Sequence, residues 1–152
     1  MNVQLRPLLA QEATPYDLLL LADPSRKLVD EYLSRGTCFV ASYEAEIVGV
    51  LVLIRTRPEM MEIVNIAVKE TYQRKGIGNK LILYAIEQAK GLGIKTLEIG
   101  TGNPGAAQLM LYQKCGFRIT WIDRDFFIRH YPEPIFENGM QCRDMIRMSM
   151  DL

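Results

Sequence analysis

Gln73-Arg74-Lys75-Gly76-Ile77-Gly78 joins two segments of opposite character. Before it, Met60 to Val68 is a β-branched, apolar run carrying one charge, Glu62, and it reads as a strand. After it, Ile77, Leu81, Ala85, Ala89 and Leu92 recur along one stripe of a helix that Gly91 and Gly93 close. Glycine accepts positive φ, so a loop with glycine at 76 and 78 can curl until several N–H groups point into one concavity. Those amides, with the positive end of the helix dipole and Arg74 and Lys75 at the rim, suit a pyrophosphate. A plain strand-to-helix turn would use the same glycines, so the loop alone leaves both readings open. Two phosphate-binding motifs are excluded. A P-loop requires G-x-x-x-x-G-K-[ST], whereas here the lysine precedes the glycine and Asn79 follows Gly78. A dinucleotide fingerprint requires a third glycine, where this chain has Leu81.

Working toward the N-terminus, Thr37–Tyr43 and Ile47–Arg57 are strand-like, and Glu44-Ala45-Glu46 between them predicts a hairpin, followed by a turn at Pro58-Glu59. Val3 to Pro7 reads as a first strand, and Thr14-Pro15 opens a helix over Tyr16–Ala22. A second helix opens at Ser25, carries Leu28, Val29, Tyr32 and Leu33 on one side, and stops at Gly36 as a glycine cap. Toward the C-terminus, Thr96–Ile99 is a short strand. Asn103-Pro104 predicts an N-cap and first helical residue for a helix reaching Lys114 or Cys115, with Gly116 left-handed after it. Phe117–Ile122 reads as a strand, Asp123–Gly139 as irregular chain broken by Pro132 and Pro134, and Cys142–Met150 as the last strand. This order predicts one domain over residues 1–152, an α/β fold with a mixed, mostly antiparallel sheet flanked by helices.

Composition narrows the function classes. The 152 residues carry 18 Lys and Arg against 18 Asp and Glu, with no basic stripe of the kind that wraps nucleic acid. The longest uncharged apolar run, Leu18–Ala22, is too short to span a bilayer, and the N-terminus lacks the order of a secretory signal. Cys38, Cys115 and Cys142 are odd in number and widely spaced, which predicts free thiols in a reducing, cytoplasmic setting, with no metal site.

Two stretches together are more specific than either alone. Glu62-Ile63-Val64-Asn65-Ile66-Ala67-Val68 with Gln73-Arg74-Lys75-Gly76-Ile77-Gly78 resembles the core motif of the GNAT superfamily of N-acetyltransferases, Q/R-x-x-G-x-G/A. Asn103-Pro104-Gly105-Ala106-Ala107, followed by Leu111-Tyr112-Gln113-Lys114-Cys115-Gly116-Phe117, is similar to its second stretch, N-x-x-A…Y-x-K-x-G-F. The resemblance is strong over residues 37–122, topological for the N-terminal helices and weak over the last thirty residues. It implies acetyl-CoA as acetyl donor, with no metal. The loop from Gln73 and Arg74 through Lys75, Gly76, Ile77, Gly78 and Asn79 would hold the CoA pyrophosphate. The strand at Ile66, Ala67 and Val68 would pair with the pantetheine arm, and Asn103 and Ala106 would lie beside it.

The resemblance also assigns roles in the transfer. An alkyl amine, with a pKa of about 10.4 like lysine, must lose a proton before attacking. Glu62 is the candidate base, and Asn65 the other side chain able to order a catalytic water. The Ile66 or Val68 N–H would stabilise the oxyanion, and Tyr112 would protonate the departing thiolate. His130, the only histidine, lies outside both motifs and is not assigned to catalysis. Asp123, Asp125, Glu133 and Glu137 accompany Phe126, Phe127, Tyr131 and Phe136 in a segment that suits either a cationic acceptor or a lid packed on the core. The expected acceptor is a small-molecule amine, the alternatives being a protein or peptide amine or a CoA-binding sensor without turnover. Met145–Met150 is the expected strand edge for a possible homodimer.

Overall fold

The computed structural model describes all residues, Met1–Leu152. In chain order the elements are β1 (Gln4–Pro7), α1 (Tyr16–Ala22), α2 (Arg26–Arg35), β2 (Thr37–Tyr43), β3 (Glu46–Arg57), β4 (Met60–Val68), α3 (Ile77–Gly91), β5 (Thr96–Gly102), α4 (Ala106–Lys114), β6 (Arg118–Asp123), α5 (Phe126–His130), β7 (Ile135–Glu137), β8 (Met140–Cys142) and β9 (Met145–Asp151). Seven strands make one sheet in the order β1-β2-β3-β4-β5-β9-β6, and β7 pairs with β8 separately. Every neighbouring pair is antiparallel except β4–β5. The mixed, mostly antiparallel sheet flanked by helices is therefore the architecture the chain adopts.

Local chemistry accounts for the boundaries. Ser25 caps α2, its hydroxyl accepting from Leu28 N at 3.2 Å. Glu44 and Ala45 both take positive φ, 49° and 67°, the backbone a two-residue hairpin turn demands to match strand twist. Gly116 follows α4 at φ 110°, the left-handed position expected of it.

The two faces of the sheet carry separate cores. Ile77, Leu81, Ala85 and Ala89 of α3, with Tyr112 and Phe117, pack on Leu51, Leu53, Ile63, Leu97 and Ile99. Leu18, Leu19, Val29 and Tyr32 of α1 and α2 cover Val40, Val50, Val52 and Ala67 on the other face. Leu92 departs from the expected stripe: it lies past the end of α3 and is 59% exposed. No helix is long and apolar enough to cross a membrane.

Several expectations are corrected. Gly36 ends α2 in extended backbone at φ −114°, so it is not a left-handed cap. It is glycine because a Cβ there would sit 2.7 Å from the Leu53 carbonyl oxygen and 2.9 Å from that of Tyr32. Gly36→Ala is therefore expected to destabilise by about 1–3 kcal/mol, as overpacking against backbone does, read as a lower urea midpoint; an unchanged midpoint would refute the close approach. The chain at 123–139 is not irregular, because α5 and the β7–β8 hairpin form within and beyond it. The last strand splits into β8 and β9 at Arg143-Asp144. Nor is Met145–Met150 an edge: β9 lies between β5 and β6. The free edge on that side is β6, where Ile119, Trp121 and Ile122 are each about half exposed.

Candidate active site

The site begins with a fault in β4. Val52 stands opposite Asn65 while Leu53 stands opposite Ile63, so Val64 is an extra residue, a β-bulge. The bulge reverses the inside–outside alternation. Met61 and Ile63 belong to the α3-side core, and so do Ile66 and Val68 beyond the bulge. Val64 and Ala67 pack instead toward α1 and α2, where Asn65 also makes its hydrogen bonds.

The same residue marks where the sheet opens. β4 pairs with β5 only from Met60 to Ile63, against Thr96 to Ile99. Beyond that, Gly100–Gly102 pairs only with β9, and the β5-facing edge of Val64–Val68 has no strand partner. A wedge remains between the unpaired edges of β4 and β5, and the longer β4 edge is able to accept an extended chain bearing amides.

At the end of that edge lies the glycine loop. Gly76 is left-handed at φ 82° and forms the N-cap of α3. From Arg74 through Asn79, no backbone N–H donates to any acceptor of the chain; the first amide that does is Lys80, to the Gly76 carbonyl. Six successive amides are thus free at a helix N-terminus, and a Cβ on Gly76 would enter open space. That donor set fits a pyrophosphate. Gln73 points back, its Nε2 donating to the Val68 carbonyl at 2.9 Å.

Glu62 lies on the paired part of β4, half-buried, with Oε2 3.0 Å from Arg147 on β9. Its strand neighbour in register is Glu98. Burial pushes the Glu62 carboxyl above the usual carboxylate range, Glu98 adds to that, and Arg147 opposes it. Arg147 also lies 5.3 Å from the Phe126 ring centre. Tyr112 is 4% exposed, with its ring edge-on to Phe117 at 6.4 Å. Burial, then the neighbouring Cys115 and Glu137, raise its phenol well above the ordinary value, so it holds its proton at neutral pH.

Asn65 is 3% exposed and its amide is bonded to Leu19 and Tyr32, so it lies inside the α1–α2 packing rather than along the open edge. Asn103 does not cap a helix. Gly105 N bonds back to the Gly102 carbonyl and α4 starts at Ala106, with Gly105 in the cap position. The Asn103 Oδ1 accepts instead from Arg143 N at 2.8 Å and Asp144 N at 3.1 Å, tying β5 to the β8–β9 link. Ala106, the first residue of α4, is exposed. His130 is exposed beside the Phe126 ring. Two acids of the aromatic segment are neutralised locally, Asp123 by Arg129 and Asp125 by Arg143. All three cysteines are free, and burial pushes the Cys38 and Cys142 thiols up to about 11, away from nucleophilic use. Asp23, which sequence reasoning did not single out, is a buried carboxylate bound by the hydroxyls of Tyr32 and Tyr131. Preceding Pro24, it had only the signature of a turn residue.

Known proteins share this fold. Residues 6–117 match the acetyltransferase (GNAT) family. The uncharacterised N-acetyltransferase YvbK of Bacillus subtilis is 62% identical over the whole of both chains. A GNAT family acetyltransferase from Elizabethkingia anophelis, solved with acetyl-CoA bound, is 51% identical with a TM-score of 0.97, covering 99% of each chain. A Bacillus subtilis acetyltransferase solved in complex with CoA is 62% identical with a TM-score of 0.90, covering 98% of this chain and 99% of that one. The opened sheet, the free loop amides and these relatives agree: the chain belongs to the acetyltransferase (GNAT) family and is an N-acetyltransferase.

Proposed function

We propose that the chain transfers the acetyl group of acetyl-CoA to a primary amine of a small molecule, by direct attack with both substrates bound. The observation that carries this reading is the wedge after Ile63 running into six free amides, with the half-buried Glu62 on the adjoining paired part of β4. The relatives solved with acetyl-CoA or CoA support the donor. Arg74–Asn79 would hold the pyrophosphate, with Gln73 fixing the loop to the strand end. The edge at Ile66, Ala67 and Val68 would take the pantetheine amides, with Asn103 and Ala106 at the far wall. When bound, acetyl-CoA supplies an activated thioester carbonyl.

The remaining chemistry belongs to the chain. Glu62, with its raised pKa, is suited to take a proton from an ammonium, directly or through water. Asn65, being committed to Leu19 and Tyr32, serves by holding β4 beside the bulge. An N–H of Ile66 or Val68 turned to the open edge is a preorganised donor for developing negative charge. Tyr112 holds the proton that the departing sulfur needs. A small acceptor suits that side, which Tyr131 spans to bond Asp23 at 2.8 Å.

Thiol release from acetyl-CoA across a panel of amines, amino acids and peptides tests the reading. Turnover with small amines and not peptides is expected; tight acetyl-CoA binding with no acetylation of anything would leave a sensor instead. Tyr112→Phe is expected to lower kcat about a hundredfold, the small end of general-acid effects, because a thiol of pKa about 8.5 leaves readily as thiolate. Its acetyl-CoA affinity should hold, and full activity in that variant would remove Tyr112 as the acid.

A further inference from the structure

Asp23, in the link between α1 and α2, is 8% exposed. Its Oδ1 accepts from Ser25 N at 3.1 Å and from the Tyr131 hydroxyl at 2.8 Å, and its Oδ2 from the Tyr32 hydroxyl at 3.0 Å. The Tyr32 hydroxyl accepts from Asn65 Nδ2 at 2.9 Å, and the same Nδ2 donates to the Leu19 carbonyl at 2.9 Å. Because that carbonyl can only accept, the orientation of the amide is fixed. Asn65 Oδ1 is then fully buried with no donor.

Counting donors against acceptors gives the cluster its character. Both hydroxyls, both Asn65 protons and the Ser25 N–H are used. One lone pair of Asp23 Oδ2 and the whole of Asn65 Oδ1 are left over. Asp23 takes part in none of the chain's ion pairs. A carboxylate with surplus acceptors and two phenol rings is complementary to a donor-rich cation.

The cluster also walls the opening. Phe127 stacks on Tyr131 at 5.6 Å, and its ring comes within 3.4 Å of where a Cβ on Gly102 would stand, at the end of β5. The chain of contacts therefore runs from Phe127, beside Gly102 at the end of β5, through Tyr131, Asp23 and Tyr32 to Asn65 on β4, linking the two strands where they part.

We infer that the Asp23 carboxylate receives a protonated nitrogen of the acceptor, which is a diamine or longer polyamine. This rests on the acetyl-transfer reading. The nitrogen held here is not the one acetylated, since a carboxylate contact favours the charged form and the attacking amine must be neutral. The acceptor thus carries at least two amino groups. The Tyr131 hydroxyl holds Asp23 Oδ1 in the ligand's place and swings away as the ligand enters.

Calorimetric titration of the full chain, saturated with CoA, uses 1,4-diaminobutane, 1-aminobutane and 4-aminobutanoate. The diamine is expected to bind about tenfold or more tighter than the monoamine, as a charge-assisted hydrogen bond gives. Asp23→Asn should erase that difference. Tyr131→Phe removes the competing hydroxyl while keeping the ring, and should widen it. Equal affinity of wild type for all three probes overturns the inference, as does a loss in Tyr131→Phe matching that in Asp23→Asn, which would make the cluster purely structural. Acetylation assays separate the two proposals. Diamine preference in binding without any acetylation sinks the acetyl-transfer reading and keeps the site. Acetylation of all three probes at equal efficiency sinks the site and keeps the reading.

Discussion

Glu62→Gln is expected to lose about a thousandfold in kcat/KM at pH 7 and to recover roughly tenfold per pH unit above it. The bound on the loss comes from the amine, of which about 1 in 2,500 is unprotonated at pH 7 for a pKa of 10.4. Without a base on the protein only that fraction attacks, so the deficit shrinks as solvent does the deprotonation. In the wild type the acidic limb of the profile should titrate above the ordinary carboxylate range, because burial and then Glu98 raise the Glu62 carboxyl more than Arg147 lowers it. Arg147→Met removes the larger of two lowering partners, leaving Arg35, and should shift that limb to higher pH. Parallel profiles for wild type and Glu62→Gln would mean the proton leaves by another route.

Gly76→Val is expected to weaken CoA binding about a hundredfold while leaving the fold intact. A left-handed conformation costs a residue with a Cβ about 1–2 kcal/mol, and more for a β-branched one. The free protein relieves that strain by flattening the loop, since nothing lies within 4 Å of the new Cβ. Flattening turns the amides of Arg74–Asn79 away from one another, and binding must then restore the strain. Gly76→Ala should show a smaller loss in the same direction. Titration calorimetry with CoA reads both, and an unaltered Kd for the valine variant would move the phosphates elsewhere.

The parts legible in the sequence were those governed by local rules. The bounds of β4, the cap at Ser25 and the stripe from Ile77 to Ala89 follow from pattern and turn chemistry. What stayed hidden depended on partners distant in the chain. The bulge at Val64 breaks no visible alternation, because residues of both faces there are apolar or buried. Asn103-Pro104 has the form of a helix start, yet two backbone amides forty residues on compete for the same side-chain oxygen and win. Two prolines masked α5 and the β7–β8 hairpin. The last strand looked like an edge since nothing in Met145–Met150 announces that β5 and β6 flank it. Asp23 meets Tyr131 across 108 residues, a separation no local pattern reports.

The short parallel pairing of Met60–Ile63 with Thr96–Ile99 has a mechanical consequence. Within the sheet, these few rungs are the only seam between the leaf β1-β2-β3-β4 and the leaf β5-β9-β6. The sheet is thus like a book bound along part of its spine, and the splay of its leaves sets the width of the gap. Hydrogen exchange would register the binding: slow amides along the seam at all times, and slowing along the β5-facing edge of Val64–Val68 only when a ligand pairs with it.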